Sequence, residues 1–364
     1  MRVDLLDPSA YTPPYDRALA GALAAAGVEV RLLTSTFPYG EVPEAPPGVE
    51  VDESFYRHVA GPAASRLRTL TKLAGHIPAM LRYRRDAARL GVDVVHAQWL
   101  ALPQIDRFLI PSVSPFVITA HDVLPREDRV GLGAAQRRVY QRADHVVVHS
   151  AHGRRRLISE VGLPEDRVTM IPHGAFTHLA KLDPALPPEL PAKNGPVAVL
   201  PGLIRPYKGL DLLLEAWQSY GAAVPGQLWI VGRARMPLPT SLPAGVTVVN
   251  RFVSEAELAG VLDAADLVVL PYREIDQSGI VYASLGMGRP MLLSDVGGFP
   301  EVAATGAAEL FPAGDAAALA VELQRLLQDA DRRTVMGENS RDAAAGVYSW
   351  QGIAAAHMDM YRNL

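Results

Sequence analysis

Val197-Ala198-Val199-Leu200-Pro201-Gly202-Leu203-Ile204-Arg205-Pro206-Tyr207-Lys208-Gly209-Leu210 is the stretch on which the reading of the fold turns. Val197 to Leu200 is a short, β-branched apolar run, the pattern of a strand buried on both faces. Glycine and proline then break it, and from Leu210 to Tyr220 apolar residues recur at helical spacing. Strand, loop and helix in that order form the repeating unit of a parallel sheet covered by helices. The loop carries Arg205 and Lys208 off a strand end, beside a helix start. Two cations and the free N–H groups of a helix N-terminus make a site for a diphosphate. A basic pair in a loop is otherwise ordinary surface charge, and its place at a strand-to-helix turn is what favours phosphate.

The same unit recurs in both directions. Leu228 to Val231, Val246 to Val249, Leu267 to Leu270 and Met291 to Ser294 read as further buried strands. Upstream, Val28 to Leu33, Val92 to His96, Phe116 to Thr119 and His145 to His149 read the same way, with helical segments such as Arg17 to Ala26 between strands. The pattern stops once, at 182–196, where five prolines and Asn194-Gly195 hold neither helix nor strand. The chain is therefore expected to form two doubly wound α/β domains, 1–181 and 197–345, with 182–196 as a stiff linker. A last helix, roughly Trp350 to Asn363, is expected to return to the first domain with the tail 346–364. Ligands of such sheets lie beyond the carboxyl ends of the strands, so a cleft between two facing domains is the expected site.

Bulk properties agree with two soluble domains. The 364 residues exceed one ordinary core. The formal charge of -4 lacks the basic excess of a nucleic-acid binder. There is no cysteine, which excludes a disulfide scaffold, a cysteine-zinc site and a cysteine nucleophile. The opening Met1 to Asp7 is interrupted by acids and does not read as a secretion signal, and no run has the length to span a bilayer. The expectation is a cytoplasmic protein, with a peripheral contact at the inner membrane face as an addition. That addition comes from 66–89, where Arg66, Arg68, Lys72, Arg82, Arg84, Arg85 and Arg89 stand against Asp86, and Leu67, Leu70, Leu73, Ile77, Met80 and Leu81 form an apolar stripe. A basic amphipathic helix can lie on an anionic membrane. The same pattern also fits a solvated helix face, and Pro78 counts against one continuous helix.

Three more motifs follow in the second half. The strand Leu228 to Val231 ends in Gly232, which lets a ligand approach the backbone. Ser254 and Glu257 make a capping box and set the preceding loop, including Arg251, at the expected cleft edge. Pro271 to Gly279 contains Asp276-Gln277-Ser278-Gly279 just before a helix-like run, where free N–H groups can meet an anion or sugar hydroxyls. Asp295-Val296-Gly297-Gly298-Phe299-Pro300-Glu301 repeats the device, and Glu301 also suits simple stabilisation of a helix start.

Taken in order, Gly202…Arg205…Lys208-Gly209, Ala265 to Tyr272, Gly288-Arg289-Pro290 and Ser294 to Glu301 resemble the retaining glycosyltransferases of family 4, which have the GT-B fold: two Rossmann-like domains facing across a cleft. The resemblance covers most of the chain and is stronger in the second half. It implies that Arg205 and Lys208 hold the diphosphate of a nucleotide sugar and stabilise the leaving group without a metal or other cofactor. Thr119-Ala120-His121-Asp122 matches the place of a histidine that faces the donor sugar. Ile171-Pro172-His173-Gly174 also matches a loop of the family. The implied donor set is Gly202, Gly232, Arg251, Asp276, Gln277, Ser278, Gly279 and Glu301. The implied partners are a nucleotide sugar and a sugar, lipid-linked or small-molecule acceptor, with Tyr15, Asp16 and His173 on the acceptor side.

Two departures stand out. The family's paired glutamates, separated by seven residues, fall on Ile275 and Ala283 when aligned on Gly288-Arg289-Pro290, and on Asp276 and Ser284 one register away. Gln277-Ser278-Gly279 resembles a variant donor loop in which backbone amides keep the contacts. The loop after the first strand, Pro8 to Asp16, has prolines and tyrosines where relatives carry glycines, and its tyrosines suit stacking on a sugar. A degenerate nucleotide-sugar-binding protein and a GT-B sugar-nucleotide epimerase are the alternative readings. The first strand lacks a Gly-x-Gly-x-x-Gly successor, which argues against a dehydrogenase.

Overall fold

A computed structural model describes residues 1–42, 44–57, 59, 66–112, 114–125, 131–220 and 226–364. They form two compact units, Met1–Gly174 with Trp350–Leu364, and Ala175–Ser349.

The first unit runs β1 (Arg2–Leu6), α1 (Pro13–Ala25), β2 (Glu29–Leu33), β3 (Val49–Asp52), α2 (Arg66–Leu90), β4 (Val94–Ala97), α3 (Pro103–Leu109), β5 (Phe116–Ala120), α4 (Leu132–Arg142), β6 (His145–Val148), α5 (Ala151–Arg156) and β7 (Val168–Met170). Its parallel sheet has the order β3-β2-β1-β4-β5-β6-β7. The central strands are buried along almost their whole length, which is why they read as continuous apolar runs. The order reverses between β1 and β4, so the loops leaving those two strands flank the crevice at the sheet's carboxyl edge.

The second unit runs β8 (Val197–Pro201), α6 (Leu210–Tyr220), β9 (Gln227–Val231), β10 (Val246–Val249), α7 (Glu255–Ala264), β11 (Leu267–Leu270), α8 (Gly279–Gly286), β12 (Met291–Ser294), α9 (Phe299–Ala303), β13 (Ala308–Phe311), α10 (Ala316–Gln328) and α11 (Ala330–Ala345). Its sheet has the order β10-β9-β8-β11-β12-β13, and the order reverses between β8 and β11. The capping box of α7 is complete: Ser254 accepts from Glu257 N, and the Glu257 side chain accepts from Ser254 N.

Two stretches differ from the sequence reading. Residues 182–196, expected as a linker, run along the second unit. Leu182 and Leu190 pack on its core, Ala185 N donates to Ala256 O at 3.1 Å, and Lys193 pairs with Asp266 at 2.8 Å. Proline prevents regular structure here, but it leaves the leucines free to bury. The second stretch is α2, which continues through Pro78. The lost N–H would have met the carbonyl four residues back, at Ala74; both residues are exposed, so water can serve that carbonyl. The side chains of Arg66 and Arg68 lie outside the described residues.

The final helix, α12 (Trp350–Arg362), packs on α1 in the first unit. Its Tyr361 hydroxyl meets His96 Nδ1 at 2.5 Å. Trp350 lies flat over Gly174, where a Cβ would stand 2.3 Å from the indole ring. Gly174→Ala is therefore expected to destabilise the protein by roughly 1–3 kcal/mol, read as a lower thermal midpoint. An unchanged midpoint would show that the Trp350 contact does not constrain the native state.

Candidate functional site

The reversal between β8 and β11 brings together the motifs that the sequence keeps about seventy residues apart. After β8 the chain turns through Gly202 at φ 97°, and Arg205 precedes a single 3-10 turn, Pro206–Lys208. Gly209 follows in the left-handed region at φ 68°. A Cβ there would meet Pro271 O at 2.0 Å, and a Cβ on Gly232 would meet Gly202 O at 2.1 Å. These glycines let the loops after β8, β9 and β11 close on one another. The Arg273 N–H donates to Tyr207 O at 2.7 Å, and the Arg273 guanidinium pairs with Asp211 at 2.6 Å, tying the two loops on the other side.

Lys208 is buried, and its Nζ stands 4.9 Å from the centre of the Tyr272 ring. Its ammonium also lies 3.3 Å from the position a Gly202 Cβ would take, with Ile280 equally close. Lys208, Gly202 and the first turn of α8 thus share one locus at the carboxyl edge. Ser278 precedes α8 without a side-chain cap bond, and Gly279 has only the Phe176 ring, 3.8 Å from a would-be Cβ, beside it. The Ser278 hydroxyl and the Tyr272 hydroxyl lie 3.5 Å apart, and Gln277 Oε1 accepts from the Tyr282 hydroxyl at 2.5 Å. Asp276 is buried. Gly297 presses on the neighbouring carbonyl, since its Cβ would fall 1.8 Å from Ile275 O. The loop holding Glu301, in the first turn of α9, therefore abuts the Asp276 to Gly279 loop. A lysine ammonium and a helix start facing one point are the elements of a diphosphate cradle.

Ile275 and Ala283 are core residues, so neither glutamate position of the family points a polar group outward. Ser284, in the alternative register, is spent on Ile280 O at 2.8 Å. Arg251 does not join the cradle. Its Nε donates to Glu189, its NH1 to Phe252 O and Glu257, and its NH2 to both Glu189 and Glu257. All five N–H groups are committed, and Arg251 serves as a clamp between 182–196 and α7. The reason is local: the capping glutamate that the sequence placed for α7 is also its partner.

The first unit carries a second cluster at its own reversal point. The loop after β1 is organised by Asp7, whose carboxylate accepts from the N–H groups of Ser9, Tyr11 and Thr12 at 3.3, 2.5 and 3.2 Å. Asp16 lies beside it, fully buried. Burial, followed by the Asp7 charge, pushes the Asp16 carboxyl well above the usual range; burial raises Asp7 as well, against its three N–H donors, so Asp16 is the member of the pair that holds a proton more readily. Tyr15, expected to stack on a sugar, is interior: His121, His149, His173 and Trp350 surround its ring at 4.8, 5.4, 4.7 and 5.4 Å. The exposed aromatic of this loop is Tyr11, 5.4 Å from Trp99. Trp99 stacks on His121 at 5.1 Å and donates its N–H to Thr12 Oγ1 at 2.9 Å.

His121 has both ring nitrogens engaged, and the sequence of bonds sets the tautomers. His149 Nδ1 lies 2.9 Å from Ile171 O, an acceptor only, so Nδ1 carries the hydrogen. Burial pulls the His149 pKa down to about 4, so the ring is neutral and Nε2 is an acceptor. His121 Nδ1, 3.3 Å away, must then donate, which leaves His121 Nε2 as an acceptor. Gln98 faces it at 3.2 Å. An acceptor there calls for the carboxamide NH2, so the Gln98 amide is oriented with its nitrogen toward His121. In either orientation one polar atom of Gln98 is buried without a partner. Sequence reasoning did not single out Gln98 or Trp99, although the pair directly follows β4, Val94–Ala97, and so stood where ligand-facing residues are expected. His173 is buried with Nδ1 at 2.8 Å from Gly174 O and belongs to the same interior block.

Similarity to known proteins fits this arrangement. The model for Glycosyltransferase Family 4 matches residues 17–178, and the model for Glycosyl transferases group 1 matches residues 195–329. A D-inositol 3-phosphate glycosyltransferase of Nocardia farcinica is 28% identical over 380 residues, covering 93% of this chain and 81% of that protein. Among solved structures, sucrose-phosphate synthase from Thermosynechococcus elongatus has a TM-score of 0.73 at 20% identity, covering 100% of this chain and 98% of that one. HepE of Anabaena in complex with UDP has a TM-score of 0.71 at 17% identity, covering both chains in full.

Two outcomes follow from these bonds. His96, His121, His149, His173 and His357 are all held neutral by burial, and each takes up a proton more readily when unfolded. Their contribution to stability is complete above the ordinary histidine value of 6.5 and is lost as pH falls toward about 4. The thermal midpoint should drop steadily across that window, and a level midpoint would contradict the neutral block. Arg251→Ala should lower the midpoint while leaving nucleotide affinity within about twofold, below the tenfold that 1.4 kcal/mol represents; a larger loss of affinity would return Arg251 to the binding set.

Proposed function

Because the chain belongs with the family 4-like glycosyltransferases of GT-B fold, we propose that it transfers a sugar from a nucleotide-diphosphate sugar to an acceptor hydroxyl with retention of configuration and without a metal. The observation that carries this reading is the Lys208 ammonium, seated over Tyr272 and Gly202 at the β8/β11 reversal, beside the start of α8.

Arg205, Lys208 and the α8 N-terminus supply the positive charge that a departing diphosphate needs. In the reaction the bond from the anomeric carbon to the diphosphate oxygen breaks. The acceptor oxygen bonds that carbon on the same face, and its proton passes to the leaving phosphate. Asp276, Gln277, Ser278 and Gly279 with Glu301 form the sugar side, while Gly202 and Gly232 give the nucleotide close access to the backbone. On the first unit, Gln98 offers its unpaired carboxamide atom to an acceptor or sugar hydroxyl. Trp99 and Tyr11 provide the apolar ring faces that sugars favour. His121 acts here as a positioning residue, fixing Gln98 through its own tautomer. Asp16 holds the loop, and Tyr15 and His173 support it from below. The acceptor is a lipid-linked or small-molecule sugar or polyol, and a peripheral membrane contact through 66–89 belongs to the same reading. The epimerase and non-catalytic alternatives draw no support from these relatives, which are named for sugar transfer.

Lys208→Ala should lower turnover of the donor about 100-fold or more, with activity of the wild type unchanged by chelators. A screen of UDP, GDP, ADP and TDP by thermal shift identifies the nucleotide, with UDP first because HepE was solved with it. Undiminished turnover in Lys208→Ala removes the diphosphate assignment. Tight nucleotide binding with no transfer or donor hydrolysis across varied donors and acceptors instead supports a binding protein.

A further inference from the structure

A cavity of about 420 Å³ opens among α2, α3 and α4, lined by Arg84, Arg107, Phe108, Arg138 and Arg142. It belongs to the first unit alone and has no part in the donor chemistry. Four arginines line it, and the acids of the three helices are committed elsewhere. The one acid of α2, Asp86, pairs with Arg85 at 3.5 Å. The one acid of α3, Asp106, is buried against His76 and accepts from Leu102 N at 2.8 Å, and α4 contains none. Among the described residues, none of the four lining arginines pairs with a carboxylate.

Neutral groups hold the arginines in place. Arg142 donates to Arg107 O at 2.6 Å and to Ile110 O at 3.4 Å, and Arg84 donates to Phe108 O at 3.4 Å. These carbonyls orient the guanidinium groups without cancelling their charge. The Arg107 guanidinium lies 4.3 Å over the Phe108 ring, and its Nε is buried with no acceptor. Like charges gathered around one space repel unless an anion occupies it. Arginine is the side chain best shaped to take phosphate.

The surface beside this cavity says where the phosphate comes from. On α2, Leu67, Leu70, Leu73, Ile77 and Leu81 are all exposed, at successive steps of three or four residues along one face. The stripe ends one turn before Arg84. Phe108, on the cavity wall, is 64% exposed, and Arg82, Arg85 and Arg89 stand exposed on the same helix. An uncovered apolar stripe with cationic flanks is the form of a helix lying in a lipid interface. A second copy of the chain is a poor cover, because pairing this face with itself would set arginine against arginine.

We infer that α2 and the four-arginine cavity dock this protein on an anionic membrane. The cavity takes the phosphate of a lipid headgroup, and Leu70, Ile77 and Leu81 enter the boundary of the acyl chains. This adds a site and a lipid chemistry to the peripheral contact proposed above, on which it rests, and it is independent of the donor reading.

The test is flotation of the full chain with vesicles of phosphatidylcholine alone and of phosphatidylcholine mixed with phosphatidylglycerol. Wild type should float with the anionic vesicles and stay behind with the neutral ones. Arg138→Glu, which removes no hydrogen bond described in the structure, should weaken binding about tenfold or more, and Arg84→Gln should weaken it less. Ile77→Asp should weaken it as well, with the thermal midpoint preserved in all three. Equal binding to both vesicle types overturns the proposal, as does an equal loss in Lys181→Glu, a charge change of the same size on the second unit. Complete competition by inorganic phosphate with no effect of Ile77→Asp would mark a free-phosphate site and overturn the membrane assignment. Donor turnover without vesicles is measured alongside. Failure of the wild type to bind anionic vesicles with turnover intact sinks this proposal alone, and vesicle binding by a wild type without turnover sinks the donor reading alone.

Discussion

Backbone meets backbone at the β8/β11 reversal with no room for a side chain. Gly209 lies under the carbonyl of Pro271, Gly232 under that of Gly202, and Gly297 under that of Ile275. Each contact closes one loop on the next, so the loops after β8, β9, β11 and β12 form a single layer over the carboxyl edge of the second sheet. A Cβ at any of the three would separate two loops by more than an ångström. The position of Lys208 over Tyr272 and the exposure of the α8 start both depend on this closure. Ser294 reinforces it by donating to Tyr272 O at 2.6 Å, which fixes the ring under the ammonium. The ammonium and the helix start are thus fixed in place before any ligand arrives.

The first unit solves a different problem. Its crevice is bordered by a block of neutral imidazoles and aromatic rings, in which a backbone carbonyl decides the proton positions of two histidines and, through them, the orientation of Gln98. Burial keeps the imidazoles uncharged, so the block is polar enough to orient a neighbour but carries no charge that would attract a phosphate. The buried Asp7 carboxyl is met by three N–H groups, with the buried Asp16 carboxyl beside it. The reversal points of the two units thus have contrasting surroundings, cationic in the second and neutral in the first.

Much of the architecture was legible in the residues. The buried strands Leu267–Leu270 and Met291–Ser294 and the helix Leu210–Tyr220 occur where apolar periodicity places them, because burial on both faces of a strand writes itself as a continuous apolar run. The strands Val49–Asp52, Val168–Met170 and Ala308–Phe311 were not legible. The first two are short edge strands of the first sheet and the third is an edge of the second, and partial exposure lets polar residues interrupt the pattern. The Ser254–Glu257 capping box was readable because it is local. That Arg251 would be held by two carboxylates was not readable, because the second, Glu189, is sixty-two positions away.

By itself, the sequence determined the alternation of strands and helices, the interruption by proline, the cationic loop of Arg205 and Lys208, and the order of motifs that points to a glycosyltransferase. These are properties of neighbouring residues, carried by periodicity, turn chemistry and spacing. Tertiary structure alone decided that 182–196 packs as part of the second unit, that Tyr15 and His173 face inward, and that Gln98 keeps an unpaired atom beside His121. It also gathered Arg84, Arg107, Arg138 and Arg142 from three helices around one cavity. Each of these depends on which distant segments meet, and that is set by the strand order of the sheets, which local residue patterns do not record.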